Sequence, residues 1–127
     1  MAYSQDGQDF HRPAGVDLSS YQYKAMTINS SGAIIPCSSA GQKSVGVLQN
    51  NPVSGAPAIV RRFGVSRMIS GGALALGSGP VTITTSNAGK TASASSGHYP
   101  LGFLLEAAGA DGTHVTVMVD CSLVPLA

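Results

Sequence analysis

Tryptophan is absent from this 127-residue chain, and only four tyrosines and three phenylalanines are present. So few rings provide no platform for stacking nucleic-acid bases, and they argue against an aromatic sugar-binding surface. Charge is scarce as well: charged residues make up 10% of the chain, against about 25% in ordinary soluble domains. The net charge is +1. Lys24, Lys43, Arg61, Arg62, Arg67 and Lys90 are spread too thinly for a nucleic-acid footprint, which requires clustering. The two cysteines, Cys37 and Cys121, make no disulfide framework, although a single bridge stays open. No histidine lies at metal-ligand spacing from either cysteine. No apolar run approaches the ~20 residues of a membrane helix. The N-terminal stretch has neither the basic nor the apolar segment of a secretory signal, so the expectation is a chain that folds in the cytoplasm of the cell that makes it.

What is present is small, apolar and β-prone. The hydrophobic fraction is 43% and glycine numbers 16. The length suits one domain, which buries roughly two-thirds of its unfolded surface. Low charge leaves two readings open: an uncharged secreted or capsid-like β-protein, or a surface largely covered by partners, since few charges lower the desolvation cost of covering it. All six acids lie toward the ends, at Asp6, Asp9, Asp17, Glu106, Asp111 and Asp120, while the six middle charges are basic. Either the termini fold back to neutralise the middle, or a basic face meets an acidic partner.

Two stretches organise the rest. Ser44-Val45-Gly46-Val47-Leu48-Gln49 and Tyr99-Pro100-Leu101-Gly102-Phe103-Leu104-Leu105-Glu106 are apolar runs interrupted by one glycine. Each follows a small polar loop and precedes a turn and another apolar strand. Gly46 and Gly102 are 56 positions apart, as are Ile59 and Val115. The spacing predicts one β-unit used twice, two hairpin units sharing one core, with each glycine at a bulge or close backbone approach.

Elsewhere residues 23–29 alternate like a strand, 29–32 read as a turn, and 33–37 as a short strand that Pro36 confines to an edge or an end. Residues 58–63 and 65–70 read as separate strands around Gly64, the second running into a glycine-bounded corner. Val81-Thr82-Ile83-Thr84-Thr85 is β-branched throughout and precedes a hairpin turn at 86–90. Residues 114–120 form a final strand. No segment sustains a helical period. The expected fold is all-β: a small β-sandwich or barrel-like body of short strands with a possible internal duplication, plus an extended N-terminal arm. The expected boundaries are an arm at 1–16, a body at 17–120 and a short tail at 121–127.

Nothing in the chain assembles chemistry. Serines are plentiful beside His11, His98 and His114, but the strained G-x-S-x-G elbow is missing. Gly71-Gly72 and Gly77-Ser78-Gly79 lack the lysine and helix context of a phosphate loop. We expect no enzyme, no cofactor and no metal. The side chains that stand out are candidates for contact. Tyr3, Phe10, His11 and Arg12 are anchors on an otherwise polar N-terminal segment, docking either on its own body or on a neighbour. Arg61, Arg62 and Arg67 are candidates for an acidic partner or a subunit contact, Arg61 and Arg62 pointing to opposite faces of a strand.

The order of these pieces resembles a known family. It runs from Asp17-Leu18-Ser19-Ser20 through the Asn29-Ser30-Ser31-Gly32 turn, Val45-Gly46-Val47-Leu48-Gln49-Asn50 with Pro52, and Gly64-Val65-Ser66. It continues through Gly71-Gly72-Ala73, Asn87-Ala88-Gly89-Lys90 and Leu101-Gly102-Phe103 to Val115-Thr116-Val117-Met118. Over residues 17–119 this resembles the small capsid decoration, or cement, proteins of tailed bacteriophages. The resemblance implies a structural virion protein on the outer surface of an icosahedral head, bracing the lattice against internal DNA pressure. It implies the major capsid protein as partner and self-association as a homotrimer, with no nucleic acid or membrane involved. It offers no catalytic residues, and the long N-terminal segment departs from it. The rival expectation is a head-surface or fibre adhesin-type β-module that binds a carbohydrate or receptor.

Overall fold

The computed structural model describes residues 7–76, 81–121 and 124–127. Its strands are β1 (Gln8–Pro13), β2 (Ala25–Ile28), β3 (Ile34–Pro36), β4 (Gly46–Leu48), β5 (Pro57–Ile69), β6 (Val81–Thr85), β7 (Thr91–Ser93), β8 (Gly102–Leu104) and β9 (His114–Asp120). They form one curled antiparallel sheet in the order β3-β2-β4-β5-β9-β8-β6-β7, with β1 beside β5. The fold is all-β, and among the described residues the only helical turn is the short one at Asn87–Gly89 in the β6–β7 hairpin. β3 ends the sheet at one side, with Pro36 as its last residue, so the missing N–H removes no interior ladder bond.

The duplication extends to the register. In the first half Met26 pairs with Pro36 and with Gly46; in the second Ile83 pairs with Ser93 and with Gly102. Leu48 pairs with Val60, and Leu104 with Val117. Arg12 pairs with Ala58, and Met68 with Val115. Even the isolated parallel bridges match, Ala14 with Ile34 and Ser70 with Thr91. The first repeat is therefore β1 to β4 with the first half of β5. The second is the rest of β5 with β6 to β9. The N-terminal segment 8–13 is extended and takes the place in its repeat that residues 64–69 take in theirs.

Three sequence expectations change. The strands expected on either side of Gly64 are one thirteen-residue strand, because its first half pairs with β1 and β4 and its second half with β9, leaving no need for a turn. The constant 56-residue offset slips by one: the counterpart of Val115 is Ala58, 57 positions earlier, rather than Ile59. The single shared core is two clusters. Leu18, Met26, Ile34, Leu48 and Val60 fill the first repeat. Leu74, Ile83, Leu101, Leu104, Val115 and Val117 fill the second, joined by Ala25, Cys37 and Val47 from the opposite side of the first. Each fully buried side chain of this size contributes about 1.5–3 kcal/mol.

Gly46 and Gly102 are equivalent in conformation, with φ of 152° and 151°. A Cβ on Gly46 would lie 2.4 Å from the Arg61 carbonyl oxygen, and one on Gly102 only 1.8 Å from that of Met118. Arg61 and Met118 are themselves counterparts, so the same close approach occurs twice. It lets β4 and β8 lie tight on β5 and β9.

Candidate functional site

The expected contact residues do not converge on one place. Tyr3 lies outside the described residues. Phe10 is half-buried and packs on the first-repeat core. His11 is exposed on β1, and Arg12 Nε donates to the Gly32 carbonyl at 2.9 Å across the β2–β3 turn. Arg61 and Arg62 sit at a bulge opposite Gln8 and Asp9. Arg61, 8% exposed, turns inward: Nε and Nη2 donate to the two Asp9 carboxylate oxygens at 2.8 and 3.2 Å, and Nη1 to the Val65 carbonyl at 2.9 Å. Arg62 is exposed and bonds to Gln8 Oε1. Arg67 lies apart, its guanidinium 5.7 Å from the centroid of the Tyr23 ring.

Phe10 and Arg62 line a cleft of about 340 Å³ with Lys43, Ser44, Val45 and Cys121. Ser44 Oγ is 3.7 Å from Cys121 Sγ. Both cysteines are free. Burial pushes the Cys37 thiol up to about 12 and that of Cys121 to about 11. Thiols held protonated are poor nucleophiles and poor metal ligands. Among the described residues no group of His, Cys, Asp and Glu is arranged to hold a metal ion, and no helix is long and apolar enough to cross a membrane.

A different surface stands out, one that residue-by-residue reading missed. Side chains alternate across a strand, so Leu48 and Leu104 enter their own repeat's core while Val47 and Phe103 point to the opposite, back face. The back-face row of the first repeat is Ala25, Val47, Arg61 and Asp9. The corresponding row of the second is Thr82, Phe103, Met118 and Val65. Ala25 and Val47 are fully buried among second-repeat side chains. The second repeat covers that face closely: Cys37 packs into the second-repeat cluster, the Gly41 amide donates to the Thr85 carbonyl at 2.8 Å, and Gly89 sits so close that a Cβ would lie 2.8 Å from the Ala25 carbonyl oxygen. Phe103, by contrast, is 46% exposed, and Leu105, two residues on, 40%. Aligning the two glycine strands in the sequence places Phe103 opposite Val47 and Leu105 opposite Gln49. That substitution was visible, but not that Val47 would be covered and Phe103 exposed.

The chain matches no protein-family model and no curated protein sequence. Among solved structures it is similar to the N base of head fiber gp8.5 of bacteriophage phi29, with a TM-score of 0.65 and 18% identity over 94% of this chain and 98% of that one. At that identity the likeness is one of fold.

Proposed function

We propose that the chain is a structural protein of a bacteriophage head. It sits on the outer capsid surface as a homotrimer, binds the major capsid protein and braces the shell against internal DNA pressure. The observation that carries this reading is the whole-length fold likeness to a phage head-fibre base. The sequence resemblance to cement proteins, argued from a different set of features, supports the bracing role. The surface suits such a part. Crowded copies with few charges repel one another weakly, and low-charge faces lose little solvation on contact. A protein that binds the assembled shell in preference to its separate subunits stabilises the shell by mass action.

The test is to add purified protein to expanded heads that lack it, sediment them, and heat them. Co-sedimentation with a raised disruption temperature is expected. Heads that neither bind the protein nor gain heat resistance overturn the reading. The head-fibre likeness also favours a second reading, a fibre or surface adhesin module, which binding to a glycan array by the isolated protein would promote.

A further inference from the structure

We infer that the Phe103 face of the second repeat is a self-association surface, which takes the first repeat of another copy head to tail. This names the surface for the self-association proposed above and rests on that reading. The template is inside the molecule. The back face of the first repeat, around Ala25, Cys37 and Val47, is covered by the front of the second, where Thr85 and the Gly89 turn touch it. The back face of the second repeat matches it by register; Val65 at one end of its row is buried, while among the described residues nothing seats on Phe103 and Leu105. It presents Phe103 and Leu105, with Met118 and Thr82 half-buried beside them. The complementary half is also present, beside a Gly32 turn, the counterpart of the Gly89 turn, to which Arg12 Nε is bonded. The counterpart of Thr85 in the first repeat is Ile28, an apolar residue 40% exposed at the end of β2. One copy thus carries an exposed apolar patch on a back face at one end, at Phe103 and Leu105, and another on a front at the other, at Ile28.

A contact between unlike patches is heterologous, and it closes into a ring when the rotation between copies allows. The occupant is therefore a second copy of this chain, seated as its own second repeat seats on its first. The apolar residues are where this mode requires them. Val47 has become the larger Phe103, and the Arg61–Asp9 pair, which satisfies its charges internally, is replaced by Met118 and Val65.

The experiment is a mass measurement of the full chain, by light scattering after size separation, on wild type, Phe103→Asp and Ile28→Asp. Wild type is expected at a multiple of 12.8 kDa. Both variants should fall to single-chain mass with unchanged circular dichroism. Mixed together, the two variants should form a two-chain species, because each keeps one intact patch. Leu105→Asp repeats the test should Phe103→Asp misfold. A monomeric wild type overturns the inference, as does a Phe103→Asp protein that keeps wild-type mass, or a mixture that stays monomeric. Head co-sedimentation separates the two readings. A single-chain Phe103→Asp protein that still pellets with heads leaves head binding standing by itself. Loss of head binding by Phe103→Asp alongside a monomeric wild type means that the face meets the capsid instead.

Discussion

At Val47 the first repeat is sealed, and the row it belongs to ends in an ion pair between the largely buried Arg61 and the more exposed Asp9. At Phe103 the second repeat, with the same pairing partners in the same register, is open and apolar. The backbones share most of their register, down to the carbonyl that lies over each glycine, and part at the bulge opposite Gln8 and Asp9. What differs is the neighbour. The first repeat has the second behind Val47, and among the described residues nothing lies behind Phe103. A duplicated unit keeps its strand geometry because hydrogen bonding and close backbone approach leave little freedom. Its faces diverge because each meets a different environment.

The largest effect expected from this comparison falls on the paired glycines. Gly102→Ala must push a Cβ into the Met118 carbonyl and hold alanine at a positive φ, a cost of about 4 kcal/mol. Gly46→Ala meets the Arg61 carbonyl at a less severe distance and should cost about 3 kcal/mol. Urea unfolding of both variants checks the order. Wild-type midpoints for either would remove the close approach as a feature of the fold.

Next comes the ion pair that one repeat has and the other lacks. Asp9→Val removes the Asp9 carboxylate from the largely buried Arg61 guanidinium and should destabilise by about 1–3 kcal/mol. Adding Arg61→Met copies the Val65–Met118 pairing of the second repeat into the first, and should recover most of that loss. Additive losses in the double variant would mean that the two rows are not interchangeable.

The smallest effect concerns Cys37, whose counterpart by hydrogen-bond register is Ala94: their amides donate to the Ala25 and Thr82 carbonyls respectively. Buried, the Cys37 thiol keeps its proton up to about pH 12, whereas unfolded it ionises near 9.0. Between those values the unfolded chain holds fewer protons than the folded one, so stability falls as pH rises. Below pH 9 this contribution is fully present. Cys37→Ala should cost about 1 kcal/mol at neutral pH and show a shallower alkaline decline in melting temperature than wild type. Parallel declines would mean that the Cys37 thiol does not contribute to it.

Much of the scaffold was legible in the chain. The β-branched run at 81–85, the turn after it and the two glycine strands all carry local signals, because alternation and turn chemistry act between near neighbours. The merged β5 did not show, since Gly64 reads locally as a break. Pairing with three other strands carries the chain straight through it. The one-residue slip in the repeat was hidden for a similar reason: the two copies differ in loop length by single residues, and only the hydrogen-bond register counts them. Of the contact surface the sequence supplied the residue types and little of their placement. Alternation put Arg61 and Arg62 on opposite faces without deciding which turns inward; Arg61 does, because Asp9 lies opposite it on β1.

The all-β character, most of the short strands and the existence of a repeat follow from the sequence alone, because each depends on patterns a few residues long and on two glycines that admit no side chain. Which faces are covered depended on the tertiary structure, because stacking one repeat behind the other buries Val47 and leaves its counterpart Phe103 at the surface. Burial is a property of what lies across from a residue, and distant parts of the chain lie there.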